Sequence, residues 1–138
     1  GVEREAVGKD AGIRTSMLVS GGASLFTMIS LMMPDILGVD TSTFPVLSDR
    51  VVSNIVVGIG FLGGGIILKS GEHVKGLTTA AVIWVTAALG TLVGLGVIKL
   101  AFTAGVLIAG LLYLLRKVRL YEYVRPGHHI RDGNNTEV

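Results

Sequence analysis

R-V-V-S-N-I-V-V-G-I-G-F-L-G-G-G-I-I-L-K, residues 50–69, is an apolar, glycine-rich run bounded by two basic residues. Between Arg50 and Lys69 lie eighteen residues, Val51 to Leu68, without a charge. As an α-helix at about 1.5 Å per residue they would extend roughly 27 Å, close to the ~30 Å hydrocarbon core of a bilayer. Gly58, Gly60, Gly63, Gly64 and Gly65 crowd into the second half. In water so many glycines weaken a helix; in lipid, small residues let a neighbouring backbone come close. Gly60 and Gly64 form a G-x-x-x-G pair on one face. The stretch reads as a transmembrane helix at the centre of a bundle, with these five glycines as its packing surface.

Two soluble readings of the same residues fail. Gly58 to Gly63 matches G-x-G-x-x-G, but no acidic residue lies about 20 positions onward and no β-α-β alternation follows. Gly63 to Ser70 falls short of a phosphate-binding loop, because Leu68 stands where a glycine must precede Lys69. Helix packing is the better account of the glycines.

The rest of the composition agrees. The chain has 138 residues, 50% hydrophobic and 16% charged, where a soluble domain carries about 25% charged residues. Its mean hydropathy is +0.68. Such a chain is expected to be an all-α, polytopic transmembrane bundle forming one domain. The basic pI near 9.2 could suggest nucleic acid, but the Lys and Arg residues flank apolar runs, as membrane topology requires, so no nucleic-acid partner is expected. Without cysteine there is no disulfide or thiolate metal site. The chain opens polar, without a cleavable signal peptide, and at Gly1 rather than Met, which fits a trimmed chain.

Four spans are expected, at about 16–33, 51–68, 77–95 and 100–115, within a transmembrane domain of residues 1–120. In the first, Ser16, Ser20 and Ser24 recur every four residues, a spacing suited to a helix contact. Pro34 is expected to end that helix, having no amide donor and clashing with the preceding turn. The apolar run 77–115 is too long for one helix, so a turn is placed near Gly94, Gly96 and Lys99. Gly90 with Gly94, and Ala101 with Gly105 and Ala109, repeat the small-residue spacing. Residues 69–76 read as a short polar connection and 121–138 as a polar, cytoplasmic tail. Four spans put both ends on one side, which holds ten Lys and Arg residues against two, Arg50 and Lys99, on the other. That makes the terminal side, with the C-terminus, cytoplasmic and the Asp35 to Asp49 loop external.

Four blocks then carry a resemblance. They are V-E-R-E at 2–5, A-G-I-R-T-S-M-L-V at 11–19, D-R-V-V-S-N-I-V-V-G-I-G-F-L-G-G-G-I-I at 49–67, and V-K-G-L-T-T-A-A-V-I-W-V-T-A-A-L-G at 74–90. In this order they resemble the MgtC/SapB family of bacterial inner-membrane proteins. The resemblance implies a multi-pass protein of the inner (plasma) membrane, linked to growth at low Mg²⁺ and, in some members, to virulence in host phagocytes. It also implies one more hydrophobic helix before the E-R pair, giving five spans, and in some members a C-terminal soluble domain that the residues after Arg119 are too few to form.

Glu3, Arg4 and Arg14 are candidate functional residues because they sit in the E-R and A-G-I-R-T blocks, with Arg14 expected to pair with Glu3 or Asp10. Charges at helix ends are otherwise topological anchors. Asp49, Arg50 and Asn54 share one face at the outer mouth, and Asn54 is expected to be a buried amide needing a partner across helices. Thr78 is a further polar candidate, although it and Thr79 can simply cap the third span. Trp84 is expected to be packed inside it, and His73, His128 and His129 to be solvated. Asp35, Asp40 and Asp49 could offer oxygens to a loosely bound Mg²⁺, although a plain acidic loop explains them too. No cofactor, confident metal site or catalytic constellation is found, so an enzyme is not expected. The expected partners are the lipid bilayer and, as the resemblance implies, another membrane complex such as a transporter or the ATP synthase, which the chain would regulate or adapt; a homo-oligomer is a further expectation. The alternative is a magnesium or small-solute transporter or channel subunit.

Overall fold

The computed structural model describes residues 1–38, 47–70 and 73–124, without the side chains of 47–49, 68–70, 73 and 119–124. Asp40 and His128, His129 lie outside these residues, as does the side chain of Asp49. A short helix α1 (Val2–Ala6) precedes four long ones: α2 (Ile13–Leu37), α3 (Leu47–Ile66), α4 (Leu77–Gly94) and α5 (Ile98–Val124). The expectation of an all-helical chain needs one correction. The connection after α3 folds back as two antiparallel strands, β1 (Leu68–Ser70) and β2 (His73–Lys75), with Leu68 opposite Lys75 and Ser70 opposite His73. Leu68 therefore belongs to this ribbon, and the helix stops at Ile66. A hairpin here lets amides that have left the helix find partners.

Helices α2, α4 and α5 are each long and apolar enough to cross a membrane. Helix α3 is apolar over Arg50–Ile66, one residue short of the eighteen that the others exceed or reach. The outer surface fits lipid: Phe61 is 84% exposed, Phe102 and Leu107 72%, and the buried hydrophobic residues are mostly Ala and Ile. Trp84, expected inside, is half exposed on this surface.

Pro34 does not end α2. It lies within the helix, which runs three residues further to Leu37 before Gly38, in the left-handed conformation, closes it. A membrane helix tolerates such a proline where side chains or neighbouring helices satisfy the backbone groups it frees. The turn between α4 and α5 falls where expected. Gly96 has φ +77°, its amide donates to Val93, and the Val97 amide donates to Leu92. This is a Schellman ending, for which glycine has the permissive backbone.

The central helix is α4, not α3. It packs against α2, α3 and α5. Helices α2 and α4 approach closely: a Cβ added at Gly94 would sit 2.6 Å from the Ser24 carbonyl oxygen, and one at Gly90 would run into the Ser20 carbonyl. The serine face of α2 thus meets the paired glycines of α4. In the single chain the expected glycine contact of α3 is different. Added Cβ atoms at Gly58, Gly60, Gly64 and Gly65 meet nothing within 4 Å, and only Gly63 is buried, with Ala80 3.5 Å away. Gly63 is in helical phase with Ile59 and Ile66, which face the core; Gly60 and Gly64 lie on the side of the exposed Phe61. The core is Ala23, Ile59, Ile83 and Ala87.

Candidate functional site

The charged groups that the structure ties together gather at one end of the bundle, around α1. This helix has only five residues, so it cannot persist by helix propensity alone. Its end is closed by Gly8, φ +62°, with the Gly8 amide on the Glu5 carbonyl and the Lys9 amide on the Arg4 carbonyl. Ala11 also takes a positive φ, +60°, at the joint before α2. The path brings three successive side chains of α1 against three long helices.

Arg4 is 8% exposed, and its Nη2 donates to the Thr79 hydroxyl at 2.6 Å, at the start of α4. The Glu5 carboxylate accepts the Ile13 amide at 2.8 Å, satisfying a free amide at the start of α2. Gly12, the residue before α2, has no side chain with which to do this. Glu3 faces Arg116 of α5, 3.9 Å away, in a partly exposed pair. A partly exposed pair stabilises by about 0–1 kcal/mol, so it orients α1 more than it holds it. The buried arginine matters more, because charge-assisted hydrogen bonds stabilise by roughly 1.5–3 kcal/mol.

These contacts revise several expectations. Glu3 pairs with Arg116, not with Arg14, which is exposed at the start of α2. Thr78 is exposed, whereas its neighbour Thr79 is buried and partners Arg4. Neither threonine caps α4: its N-cap is Gly76, with no side-chain hydrogen bond. Gly76 has φ +87°, and a Cβ there would run into the Ile66 carbonyl, so only glycine lets α4 start this close to the end of α3. Asn54 is exposed rather than buried; it stands on the rim of an apolar groove between α2 and α3, about 660 Å³, lined also by Val19, Phe26, Ile55 and Ile59. Arg50 and Asp35 are exposed at the opposite ends of α3 and α2 from this polar site. Glu5, Thr79 and Arg116 were not singled out by sequence reasoning as site residues. Thr79 carries a signal that could have found it, since it is in phase with Ile83, Ala87 and Gly90 on the buried face of α4.

Comparison with known proteins places this arrangement. The chain is 40% identical over 117 residues to Protein MgtC of Salmonella typhimurium (strain LT2), covering 85% of this chain and 46% of that protein. It is 34% identical over 148 residues to YhiD of Escherichia coli (strain K12), which is named as a proposed magnesium transporter, covering 100% of this chain and 65% of YhiD. It is 39% identical over 128 residues to the uncharacterized protein slr0014 of Synechocystis, covering 93% of this chain and 51% of that one. The chain thus spans between 46% and 65% of the length of these relatives. No solved structure matches it. The model of the MgtC family matches residues 1–121, from α1 through nearly all of α5, and the chain belongs to the MgtC family.

Proposed function

We propose that this chain is the membrane-embedded part of an MgtC-type protein of the bacterial inner membrane, needed for growth at low magnesium, and that it acts by binding and regulating another membrane complex. Helices α2 to α5 all cross the bilayer in this reading. The apolar part of α3, Arg50–Ile66, would extend about 26 Å as a helix, enough for a slightly thinned bilayer. The excess of Lys and Arg puts both ends of the chain in the cytoplasm.

The observation that carries the regulatory reading is how the polar groups are used. The Thr27 hydroxyl donates to the Ala23 carbonyl at 2.7 Å and the Thr91 hydroxyl to the Ala87 carbonyl at 3.1 Å, each on its own helix. Arg4, Glu5 and Glu3 tie helices to one another. These groups serve the fold, while Arg14 is exposed and Asn54 borders an open groove, where a partner could reach them.

Arg14→Lys keeps the charge but loses the planar fork that pairs with a carboxylate, and Asn54→Leu removes an amide without leaving a charge behind. Both variants should accumulate normally yet fail to support growth at low Mg²⁺ in a strain lacking its own family member. Normal growth of both at normal abundance would overturn the assignment. The name of YhiD supports the other reading, a magnesium transporter. Flux of Mg²⁺ through the purified chain in liposomes separates the two: the regulatory reading expects none above empty vesicles.

A further inference from the structure

Beside the helix-tying contacts of α1 lies a cleft of about 890 Å³ between α1, β2, the start of α4 and residues 112–116 of α5. Among the described residues four cations line it, Arg4, Lys9, Lys75 and Arg116, against two carboxylates, Glu3 and Asp10. One carboxylate, Glu3, is already turned to Arg116. The Thr79 hydroxyl satisfies one N–H of Arg4 but neutralises none of its charge. The Arg4 Nε is buried without a hydrogen-bond partner among the described residues, on a side chain that is only 8% exposed as a residue. Among the described residues Arg4 has no carboxylate in ion-pair contact, and a buried guanidinium without one is costly, because the charge has lost its water and gained no counter-charge.

We propose that this cleft binds a phosphate-type oxyanion, either the phosphodiester of a lipid with a net anionic headgroup or free phosphate. Its charge supplies the missing counter-ion for Arg4, and arginine with flanking lysines is the side-chain set that recognises phosphate oxygens. The remaining walls are apolar, with Val7, Leu77, Leu112 and Leu115, so the cleft is charged on one side and hydrocarbon-like on the other. That division matches the boundary between headgroup and acyl chain at the end of a membrane helix. The proposal does not depend on whether the chain regulates or transports.

The test measures the thermal stability of the full chain in neutral detergent, since a ligand that binds only the folded state raises it with concentration. Phosphatidylglycerol, phosphatidylcholine and inorganic phosphate are titrated separately. Stabilisation by phosphatidylglycerol but not phosphatidylcholine identifies a lipid headgroup as the source; stabilisation by inorganic phosphate identifies the free anion. The double variant Lys9→Ala, Lys75→Ala changes two exposed residues and should leave the fold intact. It should bind the active ligand about thirtyfold more weakly, whereas Lys99→Ala, at the other end of α5, should bind as the unaltered chain does. Arg4→Gln should abolish the effect if it folds. No stabilisation beyond that from phosphatidylcholine, or equal affinity in the double lysine variant, would overturn the proposal.

Discussion

At the residue scale the pair Thr78 and Thr79 shows what one helical position decides. Both follow Gly76-Leu77, and either hydroxyl could have capped α4. The helix turns Thr78 outward and Thr79 onto Arg4. Thr79→Val keeps the shape but leaves a buried guanidinium short of an acceptor, and should lower stability by about 1–3 kcal/mol. Thr78→Val should stay within about 0.5 kcal/mol of the unaltered chain. Thermal unfolding in detergent compares them, and equal loss in both would mean that Arg4 does not depend on Thr79. Arg4 itself was legible in the sequence, because it sits in the V-E-R-E block. Its partner was not chosen, because both threonines share the same local sequence signal and only the phase of the buried face separates them. Arg116 was beyond reach for another reason: it meets Glu3 only after the whole bundle has closed, and no local pattern records that.

At the scale of elements the sequence showed small-residue faces, but not which of them would meet. Ser20 and Ser24 on α2 and Gly90 and Gly94 on α4 were legible by their four-residue spacing, and they form a close crossing of the two helices. The centrality of α4 was not legible, because the helix is apolar on every side and has no hydrophobic stripe to point inward. The density of glycines in α3 instead suggested that α3 was the centre. The two helices therefore predict opposite responses to added volume. Gly90→Ala drives a methyl into the Ser20 carbonyl and should destabilise by roughly 1–3 kcal/mol, by separating α2 from α4. Gly60→Leu and Gly64→Leu meet nothing within 4 Å in the single chain and should leave its stability unchanged or raise it by removing a helix glycine. Detergent stability with helicity followed by circular dichroism distinguishes them. If Gly60→Leu costs as much as Gly90→Ala, the glycine face of α3 is covered in the assembled protein.

At the scale of the whole molecule, α3 decides the topology. If it crosses the bilayer, the 39–46 segment and the β1–β2 hairpin lie on opposite sides; if it does not, they lie on the same side. Composition favours crossing, because Arg50 and the cations of the hairpin bracket an uncharged helix, and its outward face carries Val56, Val57 and Phe61, all exposed in the single chain. In water those side chains would be left uncovered. In a bilayer the same surface is solvated by acyl chains, so exposure stabilises insertion by about 25 cal/mol per Å² removed from water. On the proposed reading the side follows from charge: the hairpin and the second half of α5 carry Lys69, Lys75, Arg116, Lys117 and Arg119, and the excess of Lys and Arg would keep that end in the cytoplasm. The chain has no cysteine, so a single introduced thiol is a clean reporter. Ser42→Cys should react with an impermeant maleimide added to intact cells, and Ser70→Cys only after the membrane is opened. Labelling of both from outside would mean that α3 lies along the surface and does not span, and labelling of Ser70→Cys alone would turn the molecule over.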